Sequence, residues 1–172
     1  MASAARPLLA LGIAVVGTLL VTLYAVWAYV HIMVLNPLAA VPGLALEEIW
    51  REVEQSQGSI HRITVPAFLA VGPLLALVFL VCSQVWLRQR PALVAIAYLG
   101  LLVFGAPGEF VASFMSGMNL ADAFLISGAD YSPWAAPLMI ISAVAFVALI
   151  AAIVAVGLRA AHATASPLVP AR

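Results

Sequence analysis

The sequence predicts an all-α, polytopic membrane protein. The expected form is a four-transmembrane-helix bundle with a short amphipathic helix in the first outer loop. Three observations lead there. Hydrophobic residues make up 66% of the chain and charged residues 8%, against about 45–50% and about 25% in soluble domains. A chain of this size folded in water still leaves roughly 30% of its surface wet, too much for this composition. Four predominantly apolar spans, three of them uninterrupted runs long enough to cross a ~30 Å hydrocarbon core, alternate with polar segments. Residues 1–172 read as a single membrane domain.

The first span covers residues 8–34. It exceeds the roughly 7–15 apolar residues of a signal peptide and ends in aromatics, so it reads as an uncleaved anchor. The second covers 65–87, with Thr64 as the expected cap and Pro66 in the first turn, where its missing N–H is harmless. The third, 91–115, opens on Pro91. Ala92–Phe104 rises only ~20 Å, so this span must continue through Gly105-Ala106-Pro107-Gly108, where Pro107 is expected to kink or break it. The fourth covers 134–158, behind the cap-then-proline signal Ser132-Pro133.

The first outer loop, 36–63, enters through the turn signals Asn36-Pro37 and Pro42-Gly43. Leu46, Ile49, Trp50 and Val53 then fall on one helical stripe, and Gly58 ends the segment. Glu47 and Arg51 stand in the favourable i,i+4 order. The stripe fits either a lid packed on the bundle or a docking surface for a partner. The second outer loop, 116–131, contains Gly117-Met-Asn-Leu-Ala-Asp, which resembles Gly43-Leu-Ala-Leu-Glu-Glu and raises the expectation of a duplicated two-helix unit.

Arginine placement sets the expected orientation. Arg6, Arg88, Arg90, Arg159 and Arg172 fall on one side, and Arg51 and Arg62 on the other. The positive-inside rule then puts both termini on the cytoplasmic side of a bacterial cytoplasmic membrane.

Glu109 is the sharpest candidate for chemistry. It follows the Gly105, Pro107 and Gly108 break, and intramembrane acids usually serve function. Gly72-Pro73 reads as a second break at comparable depth, and the two breaks together would frame a polar vestibule. His31 ends the first span and His61 precedes the second. With Glu109 they offer a two-His, one-carboxylate set, or two axial ligands for haem, without specifying a metal. His162 reads as solvated. Cys82, alone in the chain, reads as an inert packing residue beside Ser83 and Gln84, which are expected to bond between helices. Ala148 and Ala152, with Ala145 and Ala155, give the fourth span a small-residue face.

Zero net charge gives no electrostatic basis for nucleic-acid binding. The chain contains no nucleophile elbow, phosphate loop, dinucleotide fingerprint or His-Glu-x-x-His zinc helix. The first expectation is therefore a non-enzymatic accessory or interaction protein without a resident cofactor. It would use its extracytoplasmic loops, with the lipid bilayer and a membrane-protein partner or second copy as its contacts. The alternative is a small proton- or cation-coupled transporter with Glu109 in an outward-facing vestibule. The third is a haem- or metal-binding subunit using His31 and His61.

Overall fold

The computed structural model describes the backbone of residues 2–59 and 61–165, and the side chains of residues 5–59 and 62–162. Its elements are α1 (Ala2–Val30), a π-helical segment (His31–Leu35), α2 (Asn36–Ala40), α3 (Leu46–Gln57), α4 (His61–Val85), α5 (Pro91–Val103), α6 (Gly105–Phe124), a 3-10 turn (Pro133–Ala135) and α7 (Ala136–Ala165). Among the described residues, four helical stretches are long and apolar enough to cross a membrane: Ala5–Ala40, Arg62–Val85, Pro91–Phe124 and Pro133–His162. The chain has the build of a multi-pass membrane protein, with its large apolar side chains turned outward, as lipid requires.

α1 sits between α4 and α5. Its buried positions are Ala10, Ala14, Gly17, Val21, Tyr24 and Ala28. They alternate by four and three residues, the spacing of a seam between packed helices. Small residues let neighbouring backbones approach closely. A Cβ on Gly17 would lie 2.4 Å from Cγ of Tyr98, so the α5 tyrosine ring occupies the space that a side chain there would need. The Tyr98 hydroxyl donates to the Ala76 carbonyl at 2.8 Å and lies 2.9 Å from the Thr18 hydroxyl. One phenol thus ties α5 to both α4 and α1.

The third span changes neighbours halfway. α5 packs on α1 and α7, whereas α6 leans on α4 and α3. The change occurs at Phe104, three residues before Pro107. Proline has no N–H for the carbonyl four residues back, here Val103, and its ring clashes with that turn. Ser142 of α7 bridges the neighbouring pair of backbone groups. Its hydroxyl accepts from the Ala106 amide at 3.1 Å and donates to the Leu102 carbonyl at 2.8 Å. Those two backbone groups would bond each other in an unbroken helix, so a side chain has been inserted into the ladder.

Several boundaries differ from expectation. The first span does not stop at Asn36-Pro37 but stays helical to Ala40. α4 begins at His61, so Thr64 lies inside it rather than capping it, and it ends at Val85 rather than at residue 87. It runs unbroken through Gly72-Pro73. Pro73 removes one hydrogen bond, while Gly72 brings α4 close to α1, its side-chain position 3.5 Å from Val21 Cγ1. α6 continues past residue 115 to Phe124, because Ala112, Ser116, Leu120 and Ala121 keep one face buried. The two similar hexapeptides do not share a structure. Gly43 has φ 98° in a turn, and Gly117 lies within α6. Ser83 and Gln84 bond each other and the Leu80 carbonyl, all within α4, rather than a neighbouring helix. Ala145 of the small-residue face is in the core, but Ala155 is exposed.

Between the first two spans, α3 turns Ile49, Trp50 and Val53 into a second core with Ile32, Met33, Val65, Ala112 and Leu120. Leu46 packs at its edge. α3 ends at Gly58, whose φ of 83° suits glycine. Its Glu54 is paired with Arg62.

Candidate functional site

His31 continues the α1 seam by one more step of three and is the first residue of the π segment. The cause of the π turn lies downstream. Pro37 has no N–H to offer Met33, four residues earlier. The Asn36 amide reaches back to the His31 carbonyl instead, a five-residue step. The Met33 carbonyl receives the Trp50 indole N–H at 2.9 Å. α3 therefore supplies the donor that Pro37 lacks. Single π turns inside α-helices often occur at functional sites.

Glu109 lies one turn into α6, just beyond the Ser142 bridge. The two interrupted helices bring their polar residues together. His31 Nδ1 is 3.2 Å from Glu109 Oε1, with His31 0% and Glu109 2% exposed. An ionised carboxylate only accepts, so with Glu109 charged the Nδ1–H is the donor. In neutral His31, Nε2 then carries a lone pair. Among the described residues, the buried Nε2 has no hydrogen-bond partner, nor has the Ser116 hydroxyl two turns beyond Glu109 along α6.

Both of these atoms belong to residues that line one small cavity, about 10 Å³, which Asn36, Trp50 and Asp130 also border. Asp130 comes from the loop before α7. The Asn36 side-chain carbonyl anchors that loop, accepting from the Tyr131 amide at 2.7 Å and the Ser132 amide at 3.2 Å. Asp130 keeps an exposed face. Its carboxyl is nonetheless raised above the ordinary value, first by desolvation, with His31 lowering it and Glu109 raising it.

A second cavity, of about 210 Å³, meets Glu109 from the other side. Gly72, Gly105 and Gly108 all line it, with Tyr24, Phe68 and Leu102 among its walls. The residues expected to frame a polar vestibule thus frame an apolar one. Gly105 is needed here for packing: a Cβ would lie 2.6 Å from Tyr24 Cζ.

Of the three candidates, His31 and Glu109 converge. The side chain of His61 lies outside the described residues. Among those described, no three His, Cys, Asp or Glu side chains group as a metal-binding set. Leu46, Ile49, Trp50 and Val53 are spent on the chain's own second core. Sequence reasoning missed Asn36, Ser116, Asp130 and Ser142. A proline inside an apolar run offers one signal, since each freed carbonyl needs a new donor. No protein-family model matches the chain, and no curated protein or solved structure matches it either.

Proposed function

We propose that this protein is a small proton-coupled transporter whose protonation site is the His31–Glu109 pair. One observation supports the reading above all: a histidine and a carboxylate, both buried between apolar helices, hydrogen-bonded to each other. Ionisable groups are costly inside a membrane, and where they persist they commonly form relays or ion sites. The pair has two states of different charge: one negative charge with a neutral ring and an ionised carboxylate, or neutral overall once a proton is added. A membrane-buried group that changes charge is the minimum a proton-coupled carrier needs. With the Arg88–Arg90 turn on the cytoplasmic side of a bacterial membrane, as the charge distribution favours, the pair lies in the external half. Accessory binding through the α3 stripe has less support, since that stripe faces the chain's own bundle.

The test is infrared titration of the full-length protein in liposomes, following the carboxylic-acid C=O band. We expect one band that grows on acidification, is missing in Glu109→Gln and shifts its midpoint in His31→Gln. Proton uptake into the same vesicles should fall at least tenfold in either variant. A carboxyl that keeps one protonation state at every pH, with uptake equal to that of empty vesicles, would overturn the assignment.

A further inference from the structure

His31 and Glu109 are both buried, and the small cavity beside His31 has the room and the polar lining for one water molecule. We propose that this cavity is a water site that bridges His31 Nε2 and the Ser116 hydroxyl, and that Asp130 is its entry from the aqueous face at the α3 end. The inference rests on the proton-site reading and extends it by naming the path.

Nε2 and the Ser116 hydroxyl are both buried and, among the described residues, unpartnered. Leaving two such groups unsatisfied is costly, and native interiors resolve that cost with ordered water. A buried water needs about 10–15 Å³ of room and two to four polar partners. The cavity offers about 10 Å³, bordered by His31, Ser116 and Asp130. A water there can donate to Nε2, exchange a hydrogen bond with Ser116 and donate to the Asp130 carboxylate. Asp130 is exposed on its other side, so it can pass protons between solvent and the site.

The step balances. A proton from solvent binds Asp130 and passes to the water. The water gives a proton to the lone pair on Nε2. The ring releases its Nδ1 proton to Glu109 Oε1. The ring ends neutral in the other tautomer, Glu109 ends as the acid, and one positive charge has entered. Among the described residues, the titratable groups facing the pair are Asp130 from the loop and Tyr24 from α1. Among the described residues, α4 presents Phe68, Leu69 and Gly72 beside Glu109, and α7 presents the Ser142 hydroxyl at the helix break.

The experiment is water-edited solid-state NMR on the full-length chain in liposomes. The protein carries nitrogen-15 histidine, with His61→Gln and His162→Gln leaving His31 as the labelled ring. We expect magnetisation from water to reach Nε2. The transfer should drop several-fold in Ser116→Val and be retained in Ser116→Thr, which keeps the hydroxyl. Asp130→Asn should leave the water contact in place and slow its exchange with bulk about tenfold. A ring without water contact, or a contact unchanged in Ser116→Val, overturns the water site. Unchanged exchange in Asp130→Asn overturns the entry role. If the water is present but ring and carboxyl never change protonation, the water site stands and the transport reading falls.

Discussion

His31 and Glu109 are 78 positions apart in the chain and 3.2 Å apart in the fold. Each follows from a local interruption. A π turn begins at His31, and α6 starts anew four residues before Glu109. Both interruptions trace to a proline: Pro37 downstream of one, Pro107 beside the other. In both, a side chain from another helix bonds backbone groups at the interruption, Trp50 at Met33 and Ser142 at Leu102 and Ala106. The backbone around the pair is thus held by tertiary contacts rather than by the helices alone.

Substitutions at Glu109 should separate charge from hydrogen bonding. Glu109→Gln keeps an acceptor for the Nδ1–H, so only the charge-assisted part of the bond is lost, about 1 kcal/mol. Glu109→Leu leaves the ring nitrogen buried without a partner and should cost about 1–3 kcal/mol beyond that. Thermal unfolding in detergent reads both. Equal losses in the two variants would mean that the pair adds nothing to the fold beyond packing.

Ser142→Ala should destabilise the third span from a different helix. The methyl group can neither accept from Ala106 nor donate to Leu102, and both groups are shielded from water. The expected loss is about 1–3 kcal/mol, with faster hydrogen exchange at the Ala106 amide. A slower exchange there would show that the ladder has closed across the break, and that Ser142 holds the kink open.

Much of the fold was legible because lipid imposes length and hydropathy on each span. The continuation past Phe104 was legible for the same reason, since thirteen residues cannot cross, and the interruption near it was legible from Pro107. The second break was not real: Pro73 deletes one bond, and Gly72 against Val21 supports α4 through it. Glu109 stood out as an acid in an apolar run. Its pairing with His31 was not legible, because the seam that carries His31 inward shows only in the burial pattern. Ala10, Ala14, Gly17, Val21, Tyr24 and Ala28 step by four and three, and the next step lands on His31. Tracing that seam places the imidazole inside the bundle rather than at the headgroups. Asp130 was not legible. Its position depends on Asn36 holding Tyr131 and Ser132, a contact across 95 residues of chain.

The glycines of the core offer a graded test of packing. Gly105→Ala and Gly17→Ala each drive a methyl into a tyrosine ring, at 2.6 Å and 2.4 Å. Overpacking of this kind costs about 1–3 kcal/mol. Gly12→Ala is the control. Nothing lies within 4 Å of its added carbon, and alanine should gain about 0.5–1 kcal/mol in a helix interior. Melting temperatures should therefore fall for the first two and hold or rise for the third. A drop for Gly12→Ala as large as the others would show that added bulk, not the tyrosines, is responsible.

Asp130 should act on stability and on proton exchange in opposite directions. Its carboxyl is raised above the ordinary 3.8, chiefly by desolvation. A raised folded-state value means that the fold favours the protonated acid. Below about pH 3.8 both folded and unfolded chains hold that proton, and the residue contributes nothing. As pH climbs through the window between the ordinary and the raised value, the unfolded chain ionises more easily, and the fold loses stability until the window is passed. At neutral pH the full penalty is present, kept under ~1 kcal/mol by the exposed face. Asp130→Asn removes the titrating group. The variant should therefore melt slightly higher than wild type at neutral pH, and the difference should vanish on acidification. The same substitution takes the proton carrier from the mouth of the cavity, so exchange at His31 should slow while the fold becomes firmer. Damage to the fold cannot produce that combination. A variant that is both less stable and slower would assign Asp130 a structural role at the loop, and one that is more stable with unchanged exchange would move the proton entry elsewhere.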